Sequence, residues 1–276
     1  MGSLQEHIMR DLQAKREIDP GREIQSRTEF LKRYLRHSGL KGYVLGISGG
    51  QDSTLVGWLA QSAVAQLRAE GVEARFVALR LPYGFQSDEE DAQLALKFIN
   101  PDETHTIDIK SATDALVDQL ASQGLEVSDF NKGNIKARQR MIVHYALAGD
   151  HSLAVLGSDH AAEAVTGFYT KFGDGAADVT PLAGLNKRQG KQILRHLGCP
   201  AGLYDKVPTA DLLDDQPSQS DEDALRVSYE DIDSYLEGKT VSRQARHRIE
   251  ELYLNSRHKR AMPVRPTDTW WHEPTP

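Results

Sequence analysis

Tyr43-Val44-Leu45-Gly46-Ile47-Ser48-Gly49-Gly50-Gln51-Asp52-Ser53 is the stretch that decides the fold of this chain. Tyr43 to Ile47 reads as a short strand buried on both faces. It ends at Ser48-Gly49-Gly50-Gln51-Asp52, and a helix-compatible run from Ser53 to about Glu70 follows. A strand, a glycine-rich loop and a helix in that order make an anion site. Glycine permits unusual backbone angles and close approach, and the helix start aims unsatisfied N–H groups and the positive end of its dipole at the loop. Ser48 and Ser53 add hydroxyl donors. Asp52 suits an anion only if Mg²⁺ lies between them, since carboxylate and phosphate oxygens form the usual Mg²⁺ shell. Read alone, Ser-Gly-Gly is also a tight turn and Asp52-Ser53 a helix cap. A Walker A loop needs a lysine that is absent here, and Gly46, Gly49 and Gly50 do not fit Gly-x-Gly-x-x-Gly.

Upstream, Ile24, Phe30, Leu31, Tyr34 and Leu35 keep the spacing of a buried helical stripe, with Gly39 as its stop. Downstream, strands are predicted at Arg75–Arg80, Thr104–Ile109 and Leu153–Gly157. Helical pattern covers about Asp88–Phe98, Ala112–Gln123, Asn134–Ala148 and Asn186–Leu197. Strands alternating with helices imply a doubly wound parallel sheet with helices on both faces, an α/β fold, and ligands then sit at the carboxyl ends of the strands. Helices at about Tyr229–Leu236 and Ser242–His258 complete N- and C-terminal extensions. No repeat or linker divides the chain, so residues 1–276 read as one domain. Leu81–Ser87 and the acidic stretch Pro208–Asp223 read as loops flanking the site, expected to order over a reactive intermediate and exclude water.

Composition narrows the function. The chain has 276 residues, 39% hydrophobic before glycine is counted, with 33 basic against 40 acidic side chains and a net charge of −7. The mean hydropathy is −0.51, and no apolar stretch approaches the ~20 residues of a spanning helix. The N-terminal residues lack a signal-peptide pattern, so a cytoplasmic protein with no membrane partner is expected. An acidic balance offers no footprint for nucleic acid. The single cysteine, Cys199, excludes an internal disulfide, a multi-cysteine metal centre and a two-thiol relay; it reads as a small loop residue near a helix C-terminus.

The Ser48–Ser53 hexapeptide resembles the loop of the PP-loop ATP pyrophosphatases, which cleave ATP between the α- and β-phosphates. Further segments refine this. Arg80-Leu81-Pro82-Tyr83-Gly84, Gly133-Asn134-x-Lys136-Ala137-Arg138-x-Arg140-Met141 and Gly157-Ser158-Asp159-His160-Ala161-Ala162-Glu163 occur in order. They are followed by Thr166–Gly175, Asp178, Leu185-Asn186-Lys187, Pro208–Leu212 and His258-Lys259-Arg260. Together they resemble the ammonia-dependent NAD⁺ synthetases over nearly the whole chain. The resemblance implies the reaction deamido-NAD⁺ + ATP + NH₃ → NAD⁺ + AMP + PPi through an adenylated nicotinate carboxylate. It implies that Gly46, Ile47, Ser48, Gly49, Gly50, Gln51, Asp52 and Ser53, with Ser158, Lys187 and Thr209, bind ATP. Asp52, Lys187 and Thr209 are its expected catalytic residues, and Asp52 and Glu163 its Mg²⁺ ligands. Arg138, Lys171, Asp178, His258 and Lys259 would hold deamido-NAD⁺, in a homodimer whose substrate site lies at the interface.

Each assignment has a plainer counterpart. Asp159, His160 and Glu163 also read as helix-start residues, Lys171 and Lys187 as surface lysines, and His258-Lys259-Arg260 as a basic helix end. Asp211, Asp214 and Asp215 are read as loop solubility residues, and the remaining histidines are given no role. A nitrilase-type glutaminase would need a further domain and a catalytic cysteine, so free ammonia is the expected nitrogen donor. Other PP-loop enzymes, acting on tRNA or forming GMP, and a nucleotide sensor without turnover are the alternative readings.

Overall fold

The computed structural model describes residues 3–84, 89–206 and 220–272. Four parallel strands form its sheet: β1 (Gly42–Gly46), β2 (Arg75–Arg80), β3 (Glu103–Thr106) and β4 (Ala154–Val155), in the order β3-β2-β1-β4. The chain steps outward from β1 to β2 to β3, then returns to the other side of β1. This reversal puts a topological switch point between the carboxyl ends of β1 and β4, where open α/β sheets bind ligands. Register pairs Tyr43 with Phe76 on one side and with Ala154 on the other.

Both faces are covered, as an all-parallel sheet requires. Alternate residues Tyr43, Leu45, Ile47, Phe76 and Ala78 join one core with α2 (Pro20–Ser38), α3 (Gln51–Ala69), α4 (Glu89–Ile99) and α8 (Lys187–His196). Val44, Val77, Leu79 and Val155 point the other way, into a core with Ile109 and Ala148, beside α5 (Lys110–Ser122) and α6 (Asp129–His151). The terminal helices do more than extend this layer. α1 (Leu4–Asp11), α10 (Tyr229–Leu236) and α11 (Arg243–Asn255) enclose α7 (Ala161–Thr166) in a core of their own, centred on Ile8, Val165, Ile232, Leu236 and Ile249.

Several boundaries move. In α2 the buried line runs through Thr28, Leu31 and Leu35, which places Phe30 one residue off it and 40% exposed. Ser128 caps α6 by accepting from Asn131 N–H, so that helix starts five residues before the apolar pattern does. β3 lies at a sheet edge and is mostly exposed, which shortens it; Ile107 and Ile109 still donate backbone bonds to Arg80 and Pro82. The last residues of the stretch taken for a loop are helical. Ser220 caps α9 (Asp221–Leu225), whose acidic first turn suits the helix dipole. Cys199 is buried in the sheet core. Among the described residues no helix is long and apolar enough to cross a membrane.

Candidate active site

A cavity of about 350 Å³ opens at the switch point. Gly46, Ile47, Ser48, Gly50, Gln51, Asp52 and Ser53 line it from β1 and its loop, Ser158 from the loop after β4, Glu163 from α7 and Lys187 from α8. Thr209, Asp211, Asp214 and Asp215 fall outside the described residues, as do 85–87 of the first flanking loop and 207–219 around the second.

The loop is built from its own side chains. Ser48 Oγ lies 3.1 Å from Ser53 Oγ and accepts from Gly50 N–H. Thr54 Oγ1 donates to Gly50 C=O at 2.7 Å. Gly50 itself caps α3 with no side-chain acceptor, so the first N–H groups of the helix are left for a ligand. Gly49 has φ +84°, and a Cβ there would stand 2.6 Å from Ala92 N. It packs under the loop against α4 instead of lining the cavity, so its contribution is backbone shape.

Asp52 and Lys187 form an ion pair at 2.6 Å. The lysine is held from both ends. Its carbonyl accepts from Gln51 Nε2 at 2.9 Å, and its N–H, with that of Arg188, donates to the Asp233 carboxylate at 3.1 and 2.8 Å. Asp233 belongs to α10, so a carboxylate from the second core caps α8 from outside. The Lys187 ammonium sits 5.1 Å from the centre of the Tyr229 ring, and Tyr229 OH donates to buried Asp221.

His160 and Glu163 complete the cluster. His160 caps α7 by accepting from Glu163 N–H at Nδ1. Its Nε2 faces Asp52 Oδ1 at 3.6 Å and Glu163 Oε1 at 3.5 Å. One ligand atom from each of the three lies within 4.8 Å of the others. Burial works to raise the Asp52 carboxyl, but Lys187 and His160 hold it well below the usual carboxylate range. Burial and then the Asp52 charge push Glu163 well above its ordinary value. Burial lowers Lys187, yet Asp52 and Glu163 more than compensate and raise it. Asp159 is pushed up to about 7 by burial, Asp174 and Asp52. This is one anionic carboxylate, one cation and a carboxyl that resists ionising until positive charge arrives. Two neighbouring carboxylate oxygens suit a hard divalent cation shared with phosphate.

The dinucleotide residues gather less tightly. Arg138 donates to Lys171 C=O at 3.2 Å, and Lys171 Nζ to His258 C=O at 2.6 Å. Lys259 Nζ donates to the carbonyls of Gly167 and Tyr169. These four make one corner beside Phe168 and Gly173 of the cavity wall. Asp178 stands apart from them, accepting from Val155 N–H at 2.8 Å and paired with Tyr145 OH.

The cavity also takes Arg80, Arg140, His144, Lys206 and Asp221, to which the sequence reading gave no role. Arg80 and Arg140 lie inside segments quoted above, a signal that went unused. His144, one of the histidines given no role, lies in the cavity wall. Its Nε2 is buried without a hydrogen-bond partner among the described residues, 2.9 Å from where a Cβ on Gly46 would be. Asp221 was passed over as part of a loop. Both meet the site through tertiary packing that no local pattern announces.

Residues 23–263 match the family model for NAD synthase. The chain belongs to the NAD synthase family. It is 60% identical over 272 residues to the NH(3)-dependent NAD(+) synthetase of Mycobacteroides abscessus, covering 98% of this chain and 100% of that one. Among solved structures, NAD+ synthetase from Burkholderia pseudomallei superposes with a TM-score of 0.81 at 47% identity, covering 94% of this chain and 96% of that one. The NMN synthetase from Francisella tularensis gives 0.80 at 35% identity, covering 91% and 100%. The family match at 23–263 spans the segments from the phosphate loop to His258-Lys259-Arg260.

Proposed function

We propose that this chain is an NH₃-dependent NAD⁺ synthetase, a C–N ligase that amidates deamido-NAD⁺ at the expense of ATP. The observation that carries this reading is the Asp52–Lys187–Glu163 cluster at the mouth of the phosphate loop. The loop's N–H groups and serine hydroxyls hold the ATP phosphates. The nicotinate carboxylate oxygen attacks the α-phosphorus, the bond to the β-phosphate bridging oxygen breaks, and pyrophosphate leaves. Lys187 stabilises the charge that builds on the α-phosphate. Ammonia then attacks the acyl carbon of the mixed anhydride, sheds a proton, and AMP departs with the electrons of the broken C–O bond. No protein nucleophile takes part; the side chains bind, orient and neutralise. Asp52 and Glu163 would hold Mg²⁺, which would supply positive charge at the transferring group.

Deamido-NAD⁺ is assigned to the corner of Arg138, Lys171, His258 and Lys259, with Asp178 at its edge, and Thr209 and Ser158 to the phosphates. A homodimer is the assembly that suits the site. Phe130, Arg138, Ile142 and Tyr145 fall on one stripe of α6, and Phe130 and Ile142 are 69% and 52% exposed. Pairing of two such stripes would bury apolar surface around Arg138. This reading takes the enzyme as cytoplasmic and residues 1–276 as one catalytic domain.

The test is one assay with ATP, Mg²⁺ and deamido-NAD⁺, run with ammonium, with glutamine or with neither, and with nicotinate mononucleotide as the competing acid. Equal amounts of NAD⁺ and AMP, formed with ammonium and deamido-NAD⁺ only, are expected. ATP cleavage with no NAD⁺ would overturn the acceptor assignment.

A further inference from the structure

The three groups that approach one another at the loop mouth are Asp52, Glu163 and His160. By residue type they form a mixed nitrogen and oxygen ligand set. The hydrogen bonding of the ring says otherwise. His160 Nδ1 accepts from Glu163 N–H at 3.3 Å as the cap of α7, and a ring nitrogen that accepts has a lone pair and no proton. The imidazole proton must then be on Nε2, because a neutral ring carries one N–H. Nε2 is buried and has no closer partner among the described residues. It faces Asp52 Oδ1 and Glu163 Oε1 at nearly equal distances, 3.6 and 3.5 Å. What the histidine shows the two carboxylates is therefore an N–H, with no lone pair free for a cation.

We infer that His160 is a positioning residue whose Nε2–H faces Asp52 and Glu163 at 3.6 and 3.5 Å, so that the protein offers a cation oxygen ligands alone. The inference rests on the reading that these carboxylates bind a cation. Its consequence is selectivity. An all-oxygen set suits Mg²⁺ and Mn²⁺, whereas an imidazole ligand would favour Zn²⁺, Ni²⁺ or Co²⁺. The cap does two jobs through one ring. The bond that starts α7, and so places Glu163, is the bond that fixes the proton on the nitrogen facing Asp52.

Mn²⁺ added to the full-length protein with ATP tests this by spin-echo EPR. Bound Mn²⁺ that is released in Glu163→Gln, with no coupling to a ligating ¹⁴N of the protein, is expected. A histidine nitrogen coupling that vanishes in His160→Asn would overturn the inference while leaving the cation site standing. Failure of Mn²⁺ to bind at all would sink the cation reading and this inference with it. His160→Asn keeps an N-cap acceptor for Glu163 N–H and loses only the distal donor, so the fold is retained and Mn²⁺ binding weakens roughly 10- to 100-fold, as for other supports of metal ligands. An unchanged Mn²⁺ affinity in that variant would also overturn it. Imidazole ¹⁵N shifts of the metal-free protein give a readout independent of any variant. A protonated Nε2 and an unprotonated Nδ1 on His160 are expected, and the reverse tautomer would refute the claim.

Discussion

The Lys187 ammonium stands 2.6 Å from the Asp52 carboxylate, across 135 residues of sequence. The pair joins the two halves of the site. Asp52 comes from the helix that follows β1, and Lys187 from the first turn of a helix capped by the second core. It also sits where phosphate and cation would have to enter, so binding must part it. In the proposed reaction Asp52 would meet the cation and Lys187 a phosphate oxygen, each exchanging one opposite charge for another.

Asp52→Asn separates these roles. Read as a loop-mouth residue, Asp52 is replaceable without cost to the fold. The structure instead surrounds it with Lys187 and His160, and its loss removes the ion-pair partner of the Lys187 ammonium. The variant should lose Mg²⁺-dependent turnover by about 10³-fold or more and about 1–3 kcal/mol of stability. Calorimetry and the coupled NAD⁺ and AMP assay check both, and wild-type turnover would remove Asp52 from the chemistry.

Asp233 touches no ligand in the proposed reaction, yet it satisfies two orphan N–H groups of α8, while Asn186 takes the third from Gln189. Losing a helix cap costs about 1 kcal/mol. Asp233→Ala should therefore melt a few degrees lower, and because the cap anchors Lys187, kcat should fall about tenfold or more through misplacement of its ammonium. Asp233→Asn, which retains one acceptor, should lie between. A variant that melts lower with unchanged kcat would make Asp233 purely structural.

Gly46 and His144 are coupled through space. A Cβ on Gly46 would come within 2.9 Å of His144 Nε2, so Gly46→Ala must push the imidazole or the strand end. Overpacking of this kind costs roughly 1–3 kcal/mol, and the KM for ATP should rise because the wall of the cavity moves. His144→Ala opens the space. In the double variant the stability penalty of Gly46→Ala should largely disappear, a coupling that a thermal-melt cycle of four proteins reads directly. Additive losses would show that the contact is not what excludes a side chain at Gly46.

These cases mark what was legible in the residues. Strand, loop and helix around Ser48–Ser53 follow from apolar runs and glycines, which act locally, and the parallel sheet follows from their alternation. The segments carrying Asp52, Glu163 and Lys187 were visible for the same reason. Asp233, Asp221 and His144 were not, because each reaches the site from an element whose own pattern is that of an ordinary amphipathic helix or acidic cap. Phe30 shows the limit of periodicity itself: one residue off the line through Leu31 and Leu35 turns a phenylalanine to solvent. The second core could not be read either, since nothing in α1 or α11 states that it packs on α7.

His144 also sets a pH dependence. Burial, and then the Arg140 charge, pull its imidazole from an ordinary 6.5 down to about 4. Folding lowers this pKa, so as pH falls the unfolded chain takes up the proton first. The stability contribution is intact above about pH 6.5 and is lost as pH drops from there toward 4, amounting to about 3 kcal/mol. Urea titrations at pH 7.5 and 4.5 should show wild type losing more stability than His144→Gln, which has no proton to gain there. Equal losses would mean that His144 is not what acid attacks.

The α6 stripe gives the last prediction. Phe130, Arg138, Ile142 and Tyr145 recur at helical spacing, and the two apolar side chains that flank Arg138 are more than half exposed. Pairing of the stripes would bury position 142, and an unpaired carboxylate is costly to bury, so Ile142→Glu opposes the contact. Sedimentation should show wild type as a dimer and Ile142→Glu as a monomer at micromolar concentration. Because Arg138 sits one turn away on the same stripe, the monomer should bind ATP normally while its KM for deamido-NAD⁺ rises. A monomeric Ile142→Glu protein with an unchanged deamido-NAD⁺ KM would confine the substrate site to a single chain. A wild-type monomer with full activity would remove the dimer altogether.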